Sequence, residues 1–274
     1  MRGFRAKLWI GGGVVALIVF AAVFAPLLAH SHQIMNGDLM NAELPPGRKF
    51  WFGTDAQGRD IFGRILYGAR ISLTVGIGSQ LINTCIGTCL GLSAGFWGGW
   101  WDDVVSGLTN MMLAIPSLVF ALALMTIMSP GLTSLLVALG LTNWSYTCRV
   151  SRASTLSLRG QGYVQAAKVL GYGDIRIMLT QILPNILGPI LVIAMLGTGT
   201  VILIESALSF LGLGIAPPYP SWGSMLSGAR DELALAPWMS IFPGLAIFVT
   251  VLGLNLLGDG LRDILDPQSL ARQS

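Results

Sequence analysis

QAAKVLGYGDIRIMLTQILPNI, residues 165–186, is the stretch that decides how this chain is read. It is polar and carries Lys168 and Arg176 against Asp174, yet it interrupts sequence apolar enough for a membrane. Tyr163, Ala166, Ala167 and Leu170 fall at i, i+3, i+4 and i+7, which predicts one face of a short helix. Gly171 follows as a C-terminal stop. Asp174 is placed to cap a second helix, whose apolar face reads Ile175, Met178, Leu179, Ile182 and Leu183. Pro184 then stands where a helix starts without needing the N–H that proline lacks. The paired alanines leave room for close approach by another chain. Two readings stay open on the residues alone. One is a shaped loop that touches a soluble partner. The other is an amphipathic hairpin lying on lipid headgroups.

Outward from this element, composition sets the class. The 274 residues are 53% hydrophobic and only 11% charged, with a mean hydropathy of +0.71. Soluble domains carry about 25% charged residues, so a polytopic membrane protein is expected. Asp102 and Asp103 are the only charges between Arg70 and Arg149. The three cysteines, Cys85, Cys89 and Cys148, form no metal-type spacing and read as small apolar packing residues. His30 and His32 are expected at an interface after the first span.

Leu8–Leu28 is too long for a signal-peptide core and long enough to span. Ile71–Trp101 holds span two. Val104–Cys148 is split by Ser129-Pro130-Gly131 into spans three and four. Asn185–Leu208 makes span five and Pro237–Leu257 span six, with Pro243 a potential kink. The predicted fold is therefore all-α, a polytopic membrane protein with six transmembrane helices. It divides into residues 1–70 (first span and outer amphipathic segment), 71–263 (the core, with loop 160–184) and 264–274 (a tail). The positive charges of the 149–176 loop and of the N-terminus place both on the inner side. The first outer segment resists this rule, because it holds Arg48, Lys49, Arg59, Arg64 and Arg70.

The spans offer little chemistry. Glu205 is the only acid within a span, and an intramembrane carboxylate is a functional candidate by default. Lying about 30 Å along its helix from Asn185, it is expected near the outer interface. A gating pair, a substrate contact and a proton relay are the readings it admits. Gln80, Asn83 and Asn110 suit interhelical hydrogen bonds, with a pore-facing role as the alternative. Met111, Met112, Met125 and Met128 are read as packing or as an adaptable path. Trp100, Trp101, Trp222 and Trp238 are expected at headgroup level. There is no G-x-x-x-x-G-K-[ST] phosphate loop, no nucleophile–base pair and no metal cluster. No catalytic residue, cofactor or nucleic-acid partner is expected in this chain.

Gln165-Ala166-Ala167, Gly171 and Ile182-Leu183-Pro184 together resemble the EAA loop of ABC importer permeases, with Gln165 in place of the usual Glu and Gln181 in place of the usual Ile. Phe52-Gly53-Thr54-Asp55, Gly58-Arg59-Asp60 and Tyr67–Leu73 resemble the dipeptide/oligopeptide/nickel branch of that family. So do Leu208–Gly214, Pro220-Ser221-Trp222-Gly223 and Asn255–Asp263. Asn110 stands where the branch usually has Asp. The resemblance runs from residue 50 to 267 and is to the C-type subunit. It implies a type I importer permease core in a bacterial inner membrane, with cytoplasmic termini. It also implies a homologous B-type permease, two cytoplasmic ATPases that hold ATP and magnesium, and an extracytoplasmic solute-binding protein. The implied ATPase-coupling residues are Gln165, Ala166, Ala167, Gly171, Asp174, Leu183 and Pro184. Glu205 and Asn110 are candidates for an outer gate or the solute path. The competing classes are an ion-coupled secondary transporter, which would need midplane ionisable groups, and a membrane-embedded enzyme.

Overall fold

The computed structural model describes residues 2–29 and 34–265. His30, His32 and most of the 264–274 tail lie outside the described residues. Among those described there is no strand, only an isolated Thr54–Asp60 bridge.

The helices are α1 (Arg2–Val23), α2 (Ala25–Leu28), α3 (Ile61–Trp97), α4 (Gly99–Ala114), α5 (Ser117–Ile127), α6 (Leu132–Gly140), α7 (Trp144–Arg159), α8 (Gly162–Val169), α9 (Asp174–Ile177), α10 (Leu183–Phe210), α11 (Trp222–Gly228) and α12 (Trp238–Leu265). Asp60 starts α3 by accepting from Gly63 N–H at 2.9 Å. Gly98, at φ +70°, turns the chain straight into α4.

Four runs are long and apolar enough to cross a membrane: Ala6–Val23, Ile61–Trp97, Asp174–Phe210 and Trp238–Leu265. The pair α4 and α5, bent by 91°, has the length and composition of a fifth, as a broken span or a re-entrant loop, so the six expected spans are met by four or five. Pro116 causes the bend, since Ile115 before it is held extended and cannot continue the helix. The expected fourth span, before Cys148, is not one continuous apolar helix. Gly140 ends α6 after nine residues, and α7 is polar, carrying Arg149, Arg152 and Arg159. Asn83 bridges the break. Its Nδ2 donates to Leu139 O at 3.2 Å and its Oδ1 accepts from Asn143 N at 3.0 Å. The interhelical role expected of Asn83 is thus what the structure has.

Close packing rests on small residues. Gly87, Gly91 and Gly95, one turn apart on α3, meet the backbone of α7, where any Cβ would collide with the carbonyls of Trp144, Cys148 and Arg152. Likewise Gly11 of α1 faces the backbone at Leu257 of α12, and Gly260 faces Leu8. Lys7 pairs with Asp263 at 3.5 Å. The start of α1 and the end of α12 therefore share one end of the molecule, and Gly188 near the start of α10 meets Leu265 there. The segment 34–60 lies at the other end, where Trp238 Nε1 donates to Thr54 O at 3.3 Å. Arg59 of this segment and Arg64 at the start of α3 share one carboxylate. Asp55 takes Arg59 Nε at 2.7 Å and faces Arg64 Nε at 3.5 Å. This is why those arginines sit poorly with a rule built on free loop charges.

Trp222 departs from the expectation of a headgroup anchor. It is fully buried, donating from Nε1 to Ile65 O at 3.1 Å.

Candidate functional site

Two features stand out, one at each end of the long pair α3 and α10. The first is the hairpin of α8 and α9. Gly171 has φ +79° and closes α8 in a two-bond C-cap, in which Tyr172 N donates to Ala167 O at 3.1 Å and Gly171 N to Lys168 O at 3.0 Å. The left-handed stop expected at Gly171 is present.

The predicted stripe of α8 divides. Ala167 turns inward with Val164, while Tyr163, Ala166 and Leu170 face out. Asp174 does not cap α9: Gly173 holds the extended cap position. Asp174 stands in the first turn, where its charge still suits the helix dipole, and accepts from Trp97 Nε1 at 3.2 Å. The expected face of the second helix also shifts, because the chain forms a π turn over Met178–Ile182. Leu183 N–H reaches back five residues to Met178 O. Pro184 explains the widening, since it has no N–H and its ring crowds the carbonyl four residues back. The extra residue in the turn brings Ile177, Met178 and Ile182 inward and leaves Ile175 and Leu179 outside.

The inward residues join one core. Val164, Ala167, Ile177, Met178 and Ile182 pack on Leu92 and Phe96 of α3 and on Ile186 and Ile190 of α10. Lys168 Nζ lies 4.9 Å from the Phe96 ring centre, and Gln165 Nε2 donates to Arg159 O at 2.9 Å, fixing the α7–α8 corner. The outward face presents Val169, Leu170 and Ile175 at 88%, 73% and 65% exposure. It is a rigidly held apolar knob rimmed by Lys168 and Arg176, with Leu183 and Pro184 at its root.

The second feature surrounds Glu205. The carboxyl is 0% exposed. Ser209 Oγ donates to Oε1 at 2.7 Å, and Ser72 Oγ and Ser206 Oγ lie 3.4 and 3.5 Å from Oε2. Trp222 N–H donates to Ser72 Oγ at 3.3 Å, and Ser221 Oγ lies 3.4 Å from Ser209 Oγ. The cage thus ties α10 to α3 and to the start of α11. The separation of the two features follows from helix rise. Leu183 and Glu205 are about 33 Å apart along α10, and Ser72 and Phe96 about 36 Å along α3.

Asn110 is brought to neither feature. It is exposed on α4 and accepts from Arg149 Nη2 at 3.1 Å. Near it Arg152 clasps Asp102, with Nη2 on Oδ2 at 2.6 Å. Cys148, bonded to the neighbouring Thr109, and Arg152 lie against Gly91 and Gly95, so Asn110 belongs to the hairpin half of the molecule and not to the depth of Glu205. Sequence reading missed the serine cage and the glycine row 87/91/95. The row carried a visible small-xxx-small signal. The cage did not, because Ser72 and Ser221 come from distant segments.

The chain is thus a polytopic helical protein with a braced hairpin whose outward face is polar and apolar together. Comparison with known proteins gives its family. The family described as binding-protein-dependent transport system inner membrane component matches residues 87–269. The chain is 44% identical to the dipeptide transport system permease protein DppC of Alkalihalophilus pseudofirmus, over 94% of this chain and 85% of that one. It is 39% identical to the oligopeptide transport system permease protein OppC of Bacillus subtilis, over 94% and 85%. It is 41% identical to the glutathione transport system permease protein GsiD of Escherichia coli, over 93% and 84%. The chain belongs to the family of binding-protein-dependent transport system inner membrane components. It is a multi-pass permease subunit of an ABC importer, not an ion-coupled carrier.

Proposed function

We propose that the solute is a peptide or a related small compound, as the names of the relatives suggest, with nickel chelates in the same range. A separate solute-binding protein would select it. In this reading the chain shares one translocation path with a homologous B-type permease, and two cytoplasmic ATPases supply the energy. This chain binds no cofactor and carries no catalytic step; ATP and magnesium belong to the ATPases. The hairpin 160–184 is the coupling element, and its outward knob of Ala166, Val169, Leu170 and Ile175 docks on an ATPase. The observation that carries this reading is that the opposite face of the same hairpin is built into α3 and α10. A push on the knob is therefore a push on two long helices, which the Glu205 cage ties together at the far side through Ser72. Glu205 is proposed as an outer latch that holds the start of α11 while the outer gate is shut. Each nucleotide state would favour one arrangement of these helices, which gives direction to the cycle. Both termini are cytoplasmic.

Thiol labelling tests orientation and docking together. Lys168→Cys is expected to react with a membrane-impermeant maleimide only from the cytoplasmic face, and to be shielded when the ATPases are bound. Arg59→Cys should react only from outside. Reaction of Arg59→Cys solely after permeabilisation, or equal labelling of Lys168→Cys with and without ATPases, would overturn the reading.

A further inference from the structure

At the outer end, under the segment 34–60, lies a cavity of about 70 Å³. Among its lining residues are Asp55, Arg59, Arg64, Ser224, Met225 and Met239. Its charge does not balance. Asp55 is the carboxylate facing both arginines, and its oxygens are already occupied. Oδ1 accepts from Gln57 N at 2.9 Å and Arg59 N at 3.0 Å, and Oδ2 from Arg59 Nε at 2.7 Å, with Arg64 Nε at 3.5 Å. Asp60, the next acid along, is taken up as the cap of α3. Arg64 is 6% exposed and donates from Nη1 to Ile34 O at 2.9 Å. Among the described residues, Arg59 Nη1 and Nη2 and Arg64 Nη2 have no hydrogen-bond partner.

Arg64, which is buried, and Arg59, whose side chain is 16% exposed, thus share one carboxylate that is already bonded, and their free Nη edges are open to a further acceptor. The N-terminus of the 37-residue helix α3 adds to the positive potential at the same spot. Ile61, Met225 and Met239 line the rest of the cavity beside Gln57 and Ser224. We infer that the cavity binds a carboxylate group, held in the fork of Arg59 and Arg64. A planar two-oxygen anion matches a guanidinium edge with two parallel bonds, and the volume suits a single such group. The carboxylate has two sources to distinguish: a free small acid, or the terminal carboxylate of a peptide-like solute. The site is independent of the coupling hairpin, and the first arm of its test does not depend on the transport reading.

The test is thermal unfolding of the purified importer complex in lipid nanodiscs, titrated at constant ionic strength against sodium gluconate, which is too large to enter. Sodium formate should raise the Tm saturably, and Arg59→Gln should abolish the rise. The second arm compares dialanine with dialanine amide. A shift with the acid alone, competed by formate, places the solute carboxylate in the cavity; a shift with formate alone assigns the site to free small acids. Should Arg59→Gln fail to assemble, the ranking of anions on the wild-type complex still decides. Equal effects of formate and gluconate overturn the inference. So does a chloride response matching that of formate, or a formate shift that survives in Arg59→Gln.

Discussion

Ala166→Asp is expected to strip the ATPase subunits from the permease and to reduce uptake to background, with normal amounts of the protein in the membrane. Ala166 faces outward beside Leu170 and Val169, and its side chain is exposed and outside the core formed by the described residues. The substitution therefore costs the fold little, while it places bulk and an unpaired charge in the centre of the knob. Burying such a charge in an interface without a partner costs several kcal/mol, on the order of a hundredfold or more in affinity. Gly171→Val should act through shape instead. At φ +79° a β-branched residue is strained by about 1–2 kcal/mol, so the hairpin re-aims and the knob moves off its seat. Gln165→Glu is the control. It loses one exposed bond to Arg159 O and should keep most of the uptake. Co-purification of the ATPases beside an uptake assay checks all three.

The second large effect is expected at Glu205. Glu205→Ala should cut uptake by about tenfold or more, leaving ATPase association intact. Truncation removes the acceptor of three serine hydroxyls in a fully buried site, and each orphaned group costs about 1–3 kcal/mol. Ser72 is the sensitive one, because its hydroxyl links Glu205 to Trp222, whose N–H donates to it. The start of α11 should then come loose from α3. Glu205→Gln keeps one acceptor oxygen and the volume, so it should fall between wild type and Ala. ATP hydrolysis that continues without transport would mark the lost latch. Equal uptake in all three proteins would show that the cage is packing alone.

The sequence made some parts of this arrangement readable for clear physical reasons. A charged 22-residue interruption in apolar sequence locates the hairpin, and Gly171 marks its turn because few other residues adopt that backbone. Asn83 was readable as an interhelical bond because a buried amide must find partners. What escaped depended on geometry that a 3.6-residue period does not contain. The π turn before Pro184 shifts the face of α9, so Ile175 and Leu179 point outward while Ile177 points in. The break at Leu141–Asn143 in the expected fourth span was hidden because α6 is apolar enough to look like the start of a full span. Trp222 looked like an interfacial anchor by position, but the small residues around it, Gly68 among them, open a slot into which the indole packs. The Glu205 cage draws on residues 72, 205, 206, 209, 221 and 222, and no local pattern joins these.

One measurement bears most directly on the central claim, that the hairpin is where ATPase movement enters the spans. A photo-reactive phenylalanine analogue placed at Leu170, in intact cells expressing the whole importer, reports what touches the knob. The account predicts a single protein adduct whose mass is that of the permease plus one ATPase subunit, and none from the inward position Val164. Adducts with lipid alone at Leu170, with the ATPases present and transport active, would contradict it and return the hairpin to the membrane surface.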